Sequence, residues 1–483
     1  MDLPTKISNK TVFKYLALVF VVYVILGFAY QDIILLDEFH YLAGGQRIFS
    51  EGLPDWYYPH RPIHQLFLGA IDLVLGDFLF VSRLYVALLS TFALYVIYQV
   101  FNLRLDGPSA LMATLLTASS LVFISLAPTV MTGSISLFFM FLGILYYLKA
   151  LQTDSINDVI ASGLILGVGF LVRETVVIAL IAVNLHLLIK KKWSLMPAIN
   201  IAFAVPAIIY SLLFFFWGIT NPWLGWLFYH SPENYARPTI LLFLRYFLQY
   251  YIFTLGFIGV LGFLGLVQIM RKRRLSSLDD TSSLLIVYSV VAFLFFFVWP
   301  DIRPRFFIVF APVLSYFVLE SGILDVQKRW HTRLLYLLVI ANFVAGVPIA
   351  YLYLSPHGVA NDAVDWISLN YAPGTEVLSL DNRISYFLGK NGFKVYVLAG
   401  EKSLAPSPEL KTDYYSVLSQ TDLEEKRILA VETHMGEKID PRIGPYEKTL
   451  LVSLKRPFPF GYFAHKEELD YWYANIYLLN PQL

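Results

Sequence analysis

Long apolar stretches recur along this chain from Thr11 to Leu354, and they constrain its fold more than any other feature. Roughly 20 apolar residues let an α-helix cross a bilayer, and within hydrocarbon a helix satisfies every one of its own backbone polar groups. Stretches of this kind, most of them roughly 17 to 25 residues long, run from Thr11 to Leu36, Phe78 to Leu103, Ala110 to Leu126, Val130 to Leu148, Val159 to Val172 and Thr175 to Ile189. Five more follow at Leu195 to Ile219, Tyr251 to Met270, Ser283 to Trp299, Phe306 to Leu324 and Leu334 to Leu354. The first stretch sits behind Lys6 and Lys10 as a signal peptide would, but its apolar run is too long and no small-residue cleavage site closes it. It is read as a span. The expected fold is mainly α: a polytopic membrane protein of about eleven transmembrane helices, with its two ends on opposite sides. Composition agrees, since 57% hydrophobic and only 15% charged residues over 483 positions lie far from a soluble average.

A net charge of +1 gives no sustained basic face for a polyanion, so nucleic acid is excluded as a partner. The chain has no cysteine, which removes disulfides, thiol nucleophiles and thiolate metal sites. Lysine and arginine fall unevenly between alternate loops. One set holds Lys6, Lys10, Lys14, Arg104, Lys149, Lys190 to Lys192, Arg271 to Arg274, Lys328, Arg329 and Arg333, and by the positive-inside rule it is cytoplasmic. The N-terminus is therefore expected inside. The opposite set has no lysine before the last span; its cations are Arg47, Arg61, Arg83, Arg173, Arg237, Arg245, Arg303 and Arg305. Arginine offers a planar fork of donors that matches phosphate or carboxylate, whereas lysine is more often a solvated anchor.

Two domains are expected. Residues 1–354 form the membrane part, including a first outward loop, 37–77, that is too amphipathic to cross. Within it Phe39 to Ser50 and Pro62 to Leu75 read as interfacial helices joined by Glu51 to Pro59, where Trp56, Tyr57 and Tyr58 suit the headgroup layer or a sugar face. Residues 355–483 read as a small outward α/β domain, with a helix over Val359 to Leu369 and strands at Glu376 to Leu380, Lys394 to Leu398 and Arg427 to Val431.

Four ionisable clusters fall on the same outward side: Asp37-Glu38, His60-Arg61-Pro62, Arg173-Glu174, and Asp301-Ile302-Arg303-Pro304-Arg305. Charges at the ends of spans point to the handling of a polar headgroup. Asp37 reads either as a general base or as the cap of the helix that follows it. Glu38 can hold an acceptor or a cation, or act as an acid at a helix start. Arg61 and Arg305 suit an anionic leaving group; the alternatives are snorkelling for Arg61 and pairing with Asp301 for Arg305. Arg303 is an auxiliary phosphate contact or structural, and Arg173-Glu174 reads as a buried ion pair that shapes the pocket. His40, His60 and His64 lie close enough in sequence to suggest a cation site, but no metal is assigned to them.

These residues resemble the GT-C superfamily of membrane glycosyltransferases, in the protein O-mannosyltransferase and lipid A aminoarabinose transferase branch. The likeness rests on Asp37-Glu38 with Tyr41 after the first span, Arg61-Pro62 where that branch usually has Lys-Pro-Pro, Arg173-Glu174 after the glycine-rich run Gly163 to Leu171, and Arg305 with Pro312. It departs at Arg61 in place of lysine, Ile63 in place of the second proline, and Phe306 in place of tyrosine. The resemblance implies an inverting transfer of a hexose or pentose from a polyprenyl-phosphate donor to a hydroxyl of a lipid, glycan or protein acceptor, at the outer face of the cell membrane. It implies Asp37 as the base and Arg61, Arg305 and Arg303 on the donor phosphate. Glu38, Tyr41, His60 and Tyr58 are the expected acceptor or sugar contacts, and Arg173, Glu174 and Asp301 the residues that shape the pocket. No cofactor is implied, and a divalent metal is not a trait of the branch as a whole. The competing class is a lipid or glycan transporter, which would show interrupted helices and charges near the bilayer midplane.

Overall fold

Among the described residues, each of the eleven apolar stretches overlaps a helix, and two departures from the expected bounds have local causes. The computed structural model describes residues 7–30, 33, 35, 37–38, 40–42, 44–45, 61–76, 79–216, 240–272, 278–298, 303–354, 358–379, 381–398, 415–418, 428–433, 446–457 and 471–481. The helices of the first part are α1 (Asn9–Ala29), α2 (Pro62–Leu75), α3 (Leu79–Phe101), α4 (Gly107–Ala118), α5 (Leu121–Leu126), α6 (Thr132–Thr153) and α7 (Ile156–Phe170). They continue as α8 (Val177–Ile189), α9 (Met196–Phe216), α10 (Ile240–Lys272), α11 (Asp280–Val298), α12 (Phe310–Glu320) and α13 (Arg329–Leu354). Among the described residues seven helices are long and apolar enough to cross a membrane, and α2, α4, α7 and Glu174–Ile189 are shorter apolar helices.

The stretch from Ala110 to Leu126 was expected as one span but is two helices. Ser119 and Ser120 turn their hydroxyls back onto the carbonyls of Leu116 and Thr117, at 3.1 and 2.8 Å, and Ser120 takes the extended conformation from which α5 restarts. Such back-bonding offers the chain an alternative to the helical ladder. Helix α10 begins earlier than expected and is bent at Gly256, whose φ of 52° and ψ of −133° lie outside helical space in a region open to glycine. Two arginines assigned to outward loops lie inside helices instead: Arg83 in α3, only 2% exposed, with Nη1 donating to the Gly27 carbonyl at 3.2 Å, and Arg245 in α10.

The chain divides into two compact units. The first holds residues 1–29, 44–49 and 58–350. Its helices pack as α1 on α3, α3 on α6, α6 on α7, α7 on α9, α8 on α11, α4 on α12, and α10 on α12. The α7 and α9 backbones approach closely because Gly163 and Gly167 face α9: a Cβ at Gly163 would come 2.5 Å from the Ile199 carbonyl, and one at Gly167 would strike that of Phe203. Small residues spaced four apart serve this purpose where packing, rather than water, drives helix association.

The second unit holds residues 30–43, 50–57 and 351–483. The expected helix at Val359 is α14 (Val359–Asn370), and the three expected strands are β1 (Glu376–Ser379), β2 (Lys394–Leu398) and β4 (Ile428–Thr433). Helix α15 (Asn382–Lys390) and strands β3 (Tyr415–Leu418), β5 (Tyr446–Pro457) and β6 (Tyr471–Pro481) were not anticipated. The sheet runs β3-β2-β1-β4-β6-β5, parallel from β3 to β4 and antiparallel beyond. Register aligns Val377 with Val395 and Leu429, and Val431 with Ile476, which turns these side chains to one face. There they meet Ala363 and Ile367 of α14 and Ile384 and Leu388 of α15 in a closed apolar core. The residues of the first outward loop that group with this sheet, rather than with the helices, include Asp37, Glu38, His40 and Tyr41.

Candidate functional site

Glu174 organises the ionisable residues of the first unit. It opens a short 3-10 turn, Glu174–Val176, after the glycine-rich α7, and its side chain is 5% exposed. A carboxylate in so dry a place needs a cation, and Arg61 supplies it: Nε donates to Oε2 at 2.8 Å and Nη2 to Oε1 at 2.5 Å. The two parallel bonds fix the plane of the guanidinium. The sequence had paired Glu174 with its neighbour Arg173. In the extended backbone at Arg173, with φ −162° and ψ 132°, successive side chains point apart, so the partner comes from a distant segment.

Arg61 precedes α2, whose first residue is Pro62, with φ preset for a helix start. The Ile63 N–H reaches the Leu171 carbonyl at 3.4 Å, tying α2 to the end of α7. A second proline here would lack that donor. Gln65 donates back to the Arg61 carbonyl at 3.3 Å. His64 is fully buried, interacts with the Val130 backbone and stacks on Tyr85 with ring centroids 6.0 Å apart. It had been weighed only as a metal ligand, yet its surroundings are an aromatic ring and a peptide group. Among the described residues no three His, Asp or Glu side chains gather in a way that could hold a metal ion.

Arg173 turns to the opposite side. It is 3% exposed, donates from Nη1 to the Thr132 hydroxyl at 3.3 Å, and lies with its guanidinium carbon 5.2 Å from the centre of the Phe306 ring. Arg305 lies 5.5 Å from the same ring. Phe306 belongs to the 3-10 helix Pro304–Val309 and is backed by Phe296, nearly parallel at 5.8 Å. One aromatic ring thus has two cations over it, and the tyrosine hydroxyl missing at this position is not needed for that. Arg303, at the start of that 3-10 helix, is exposed. The first unit therefore holds two groups, Arg61 on Glu174 and Arg173 with Arg305 on Phe306, which start from the adjacent residues Arg173 and Glu174. Asp301, expected beside Arg305, lies outside the described residues, as do Tyr58 and His60.

In the second unit, Asp37 and Glu38 are helical and Glu38 is fully buried. The Glu38 carboxylate accepts the Leu35 N–H at 3.2 Å, so the acid that closes this helix start is Glu38. Asp37 is half-buried, and Tyr41 is fully buried. His40, 5% exposed, lies within electrostatic reach of Asp37 and of Asp381 and Arg383, which follow β1. Asp381 caps α15 by accepting the Arg383 N–H at 3.0 Å and holds the Arg383 guanidinium through Nε at 3.0 Å and Nη2 at 2.7 Å. Burial pushes the His40 imidazole down to about 4, with Asp37 acting to raise it, Arg383 to lower it and Asp381 to raise it. Sequence reasoning missed the Asp381–Arg383 pair, although an aspartate at the end of a strand and two residues before an arginine is a capping signal.

Three comparisons bear on what this arrangement is. Residues 59–218 match the family described as Dolichyl-phosphate-mannose-protein mannosyltransferase, an interval that contains Arg61, Arg173 and Glu174. No curated protein matches the chain by sequence. Among solved structures, ArnT from Cupriavidus metallidurans bound to undecaprenyl phosphate superposes with a TM-score of 0.61 at 16% identity, covering 89% of this chain and 94% of that one. The same protein in the apo state gives a TM-score of 0.65 at 15% identity over 88% and 93%. The oligosaccharyltransferase of Archaeoglobus fulgidus in its apo form gives 0.51 at 11% identity, over 80% of this chain and 64% of that one. The chain is a multi-pass membrane protein that shares the fold of ArnT from Cupriavidus metallidurans. Its C-terminal part is an α/β unit on a six-stranded sheet.

Proposed function

We propose that the protein is an inverting glycosyltransferase that moves a sugar from a polyprenyl-phosphate donor to an acceptor hydroxyl at the outer face of the membrane. The observation that carries this reading is the pair of arginine groups in the first unit. Arg173 and Arg305 share the Phe306 ring, and Arg61 is oriented by Glu174, in a fold shared with a protein solved with undecaprenyl phosphate. Preorganised guanidinium donors favour a leaving phosphate because its charge grows as the bond breaks. Each charge-assisted bond contributes about 1.5–3 kcal/mol. In the proposed reaction the acceptor oxygen bonds to the anomeric carbon while the bond from that carbon to the phosphate oxygen breaks. The hydroxyl proton passes to Asp37, and the lipid phosphate leaves with the electron pair. A single displacement of this kind inverts the anomeric centre.

In this reading Arg305, Arg303 and Arg61 hold the donor phosphate, and Arg173, Glu174 and Asp301 shape the pocket around it. Glu38, buried and capping, holds the helix start that carries Asp37, while Tyr58 and His60 are the candidates for contact with acceptor or sugar, and Tyr41, fully buried, has no surface for one. The N-terminus is cytoplasmic, residues 1–354 form the membrane domain and residues 355–483 an extracytoplasmic one. The test is sugar transfer in detergent from a panel of purified polyprenyl-phosphate sugars. Product formed without a sealed compartment supports an enzyme. Movement of lipid-linked sugar across sealed vesicles with no product in detergent identifies a transporter.

A further inference from the structure

At the lysine-rich end of the helices, away from the arginine groups, α8, α11 and the last turn of α10 enclose a groove of about 720 Å³. Its walls are apolar, with Leu188 and Ile189 on α8 and Val290 and Leu294 on α11, all four exposed to the surroundings of the helices. Its mouth carries two cations, Arg271 and Lys272, both exposed. Lys190 joins the two walls at this end, bonding the Leu278 carbonyl at 3.3 Å and Asp280 at 2.7 Å.

The charges around this mouth are not equivalent. Arg104 pairs with Asp279 and Glu320 at 3.1 and 3.2 Å, Lys190 with Asp280, and Lys192 with Asp154 at 2.8 Å. Arg271 and Lys272 form no ion pair with any described residue, and they are the cations among the described residues that line the groove. An apolar trough with exposed walls and two cations that form no ion pair with any described residue matches one kind of ligand, an amphiphile with a long hydrocarbon tail and an anionic head at the membrane surface.

We propose that this groove is a binding site for an anionic phospholipid of the inner leaflet, its tail lying between α8 and α11 and its phosphate meeting Arg271 and Lys272. The site stands on the groove and its charges, independently of the reaction at the other face. Its place in the inner leaflet follows the lysine-based orientation proposed above.

The test uses the full-length protein in phosphatidylcholine nanodiscs containing traces of a photoactivatable phosphatidylglycerol, with crosslinked residues mapped by mass spectrometry. Labelling is expected to concentrate on Leu188, Val290 and Leu294 over equally lipid-facing Leu212 and Val344. The double variant R271Q/K272Q should reduce it roughly 25-fold, at about fivefold per surface cation. Leu188→Trp, which narrows the trough but keeps both cations, should reduce groove labelling as well. Even labelling of all lipid-facing helices, equal labelling by a photoactivatable phosphatidylcholine, or an unchanged R271Q/K272Q pattern would each overturn the proposal.

Discussion

A single carboxylate, Glu174, shows how much of the site depends on one residue. With its side chain 5% exposed and that of Arg61 12% exposed, the pair is held by two parallel hydrogen bonds, and neither charge has much water to fall back on. Glu174→Gln removes the charge while keeping the shape, so it should lower stability by roughly 3 kcal/mol, read as a lower thermal unfolding midpoint in detergent. An unchanged midpoint would mean that the pair is not a structural tie. Arg61, Arg173, Glu174 and Arg305 were legible in the sequence because arginine without lysine marks one side of the spans. Their pairing was not legible, since Glu174 passes over adjacent Arg173 for a residue 113 positions away. Ile63 carries a similar lesson. It read as a departure from a proline motif, and only the structure gives the reason, a backbone donor used on Leu171.

Elements were legible where hydrophobic period and length agreed, and they failed where side chains act on the backbone. Ser119 and Ser120 split one expected span, and Gly256 bends another. Strand β5, at the sheet edge, escaped because charges at Glu447, Lys448, Lys455 and Arg456 break its alternation. The α7–α9 contact yields a direct test. Gly167→Leu places a side chain against the Phe203 carbonyl and should cost at least about 1–3 kcal/mol of stability, whereas Leu164→Ala on the exposed side of α7 should stay within about 0.5 kcal/mol. Equal unfolding midpoints for the two would show that the helices are not in close contact.

The helical start of the first outward loop makes a prediction in pH. His40 is held neutral, with its folded value pushed down to about 4 from an ordinary 6.5. The unfolded chain therefore takes up a proton first as pH falls, so stability is complete above about pH 6.5 and declines down to about pH 4. A depression of this size corresponds to roughly 3 kcal/mol. His40→Gln should flatten the unfolding midpoint across that window; a variant as pH-sensitive as the parent would assign the loss to other groups.

For the molecule as a whole, the fold was the most legible property, because the length of the apolar stretches follows from the membrane. The grouping of residues 30–43 with the C-terminal sheet was not legible, since nothing in their local pattern names a partner more than 300 residues away. The orientation has a clean test because the chain contains no cysteine. Single replacements Lys192→Cys and Leu369→Cys should react oppositely with an impermeant maleimide: Leu369→Cys in intact cells, Lys192→Cys only after permeabilisation. The reverse pattern would invert the protein and put the proposed reaction on the wrong face.

The most direct measurement is the single-turnover rate of sugar transfer from a purified polyprenyl-phosphate donor in detergent, by the parent protein and by Asp37→Asn, with binding of the lipid phosphate followed in parallel. General-base assistance predicts that Asp37→Asn binds the donor normally and reacts about 10² to 10⁴ times more slowly. Equal rates for the two proteins would contradict the role given to Asp37, and no transfer by the parent from any polyprenyl-phosphate sugar would contradict the reaction itself.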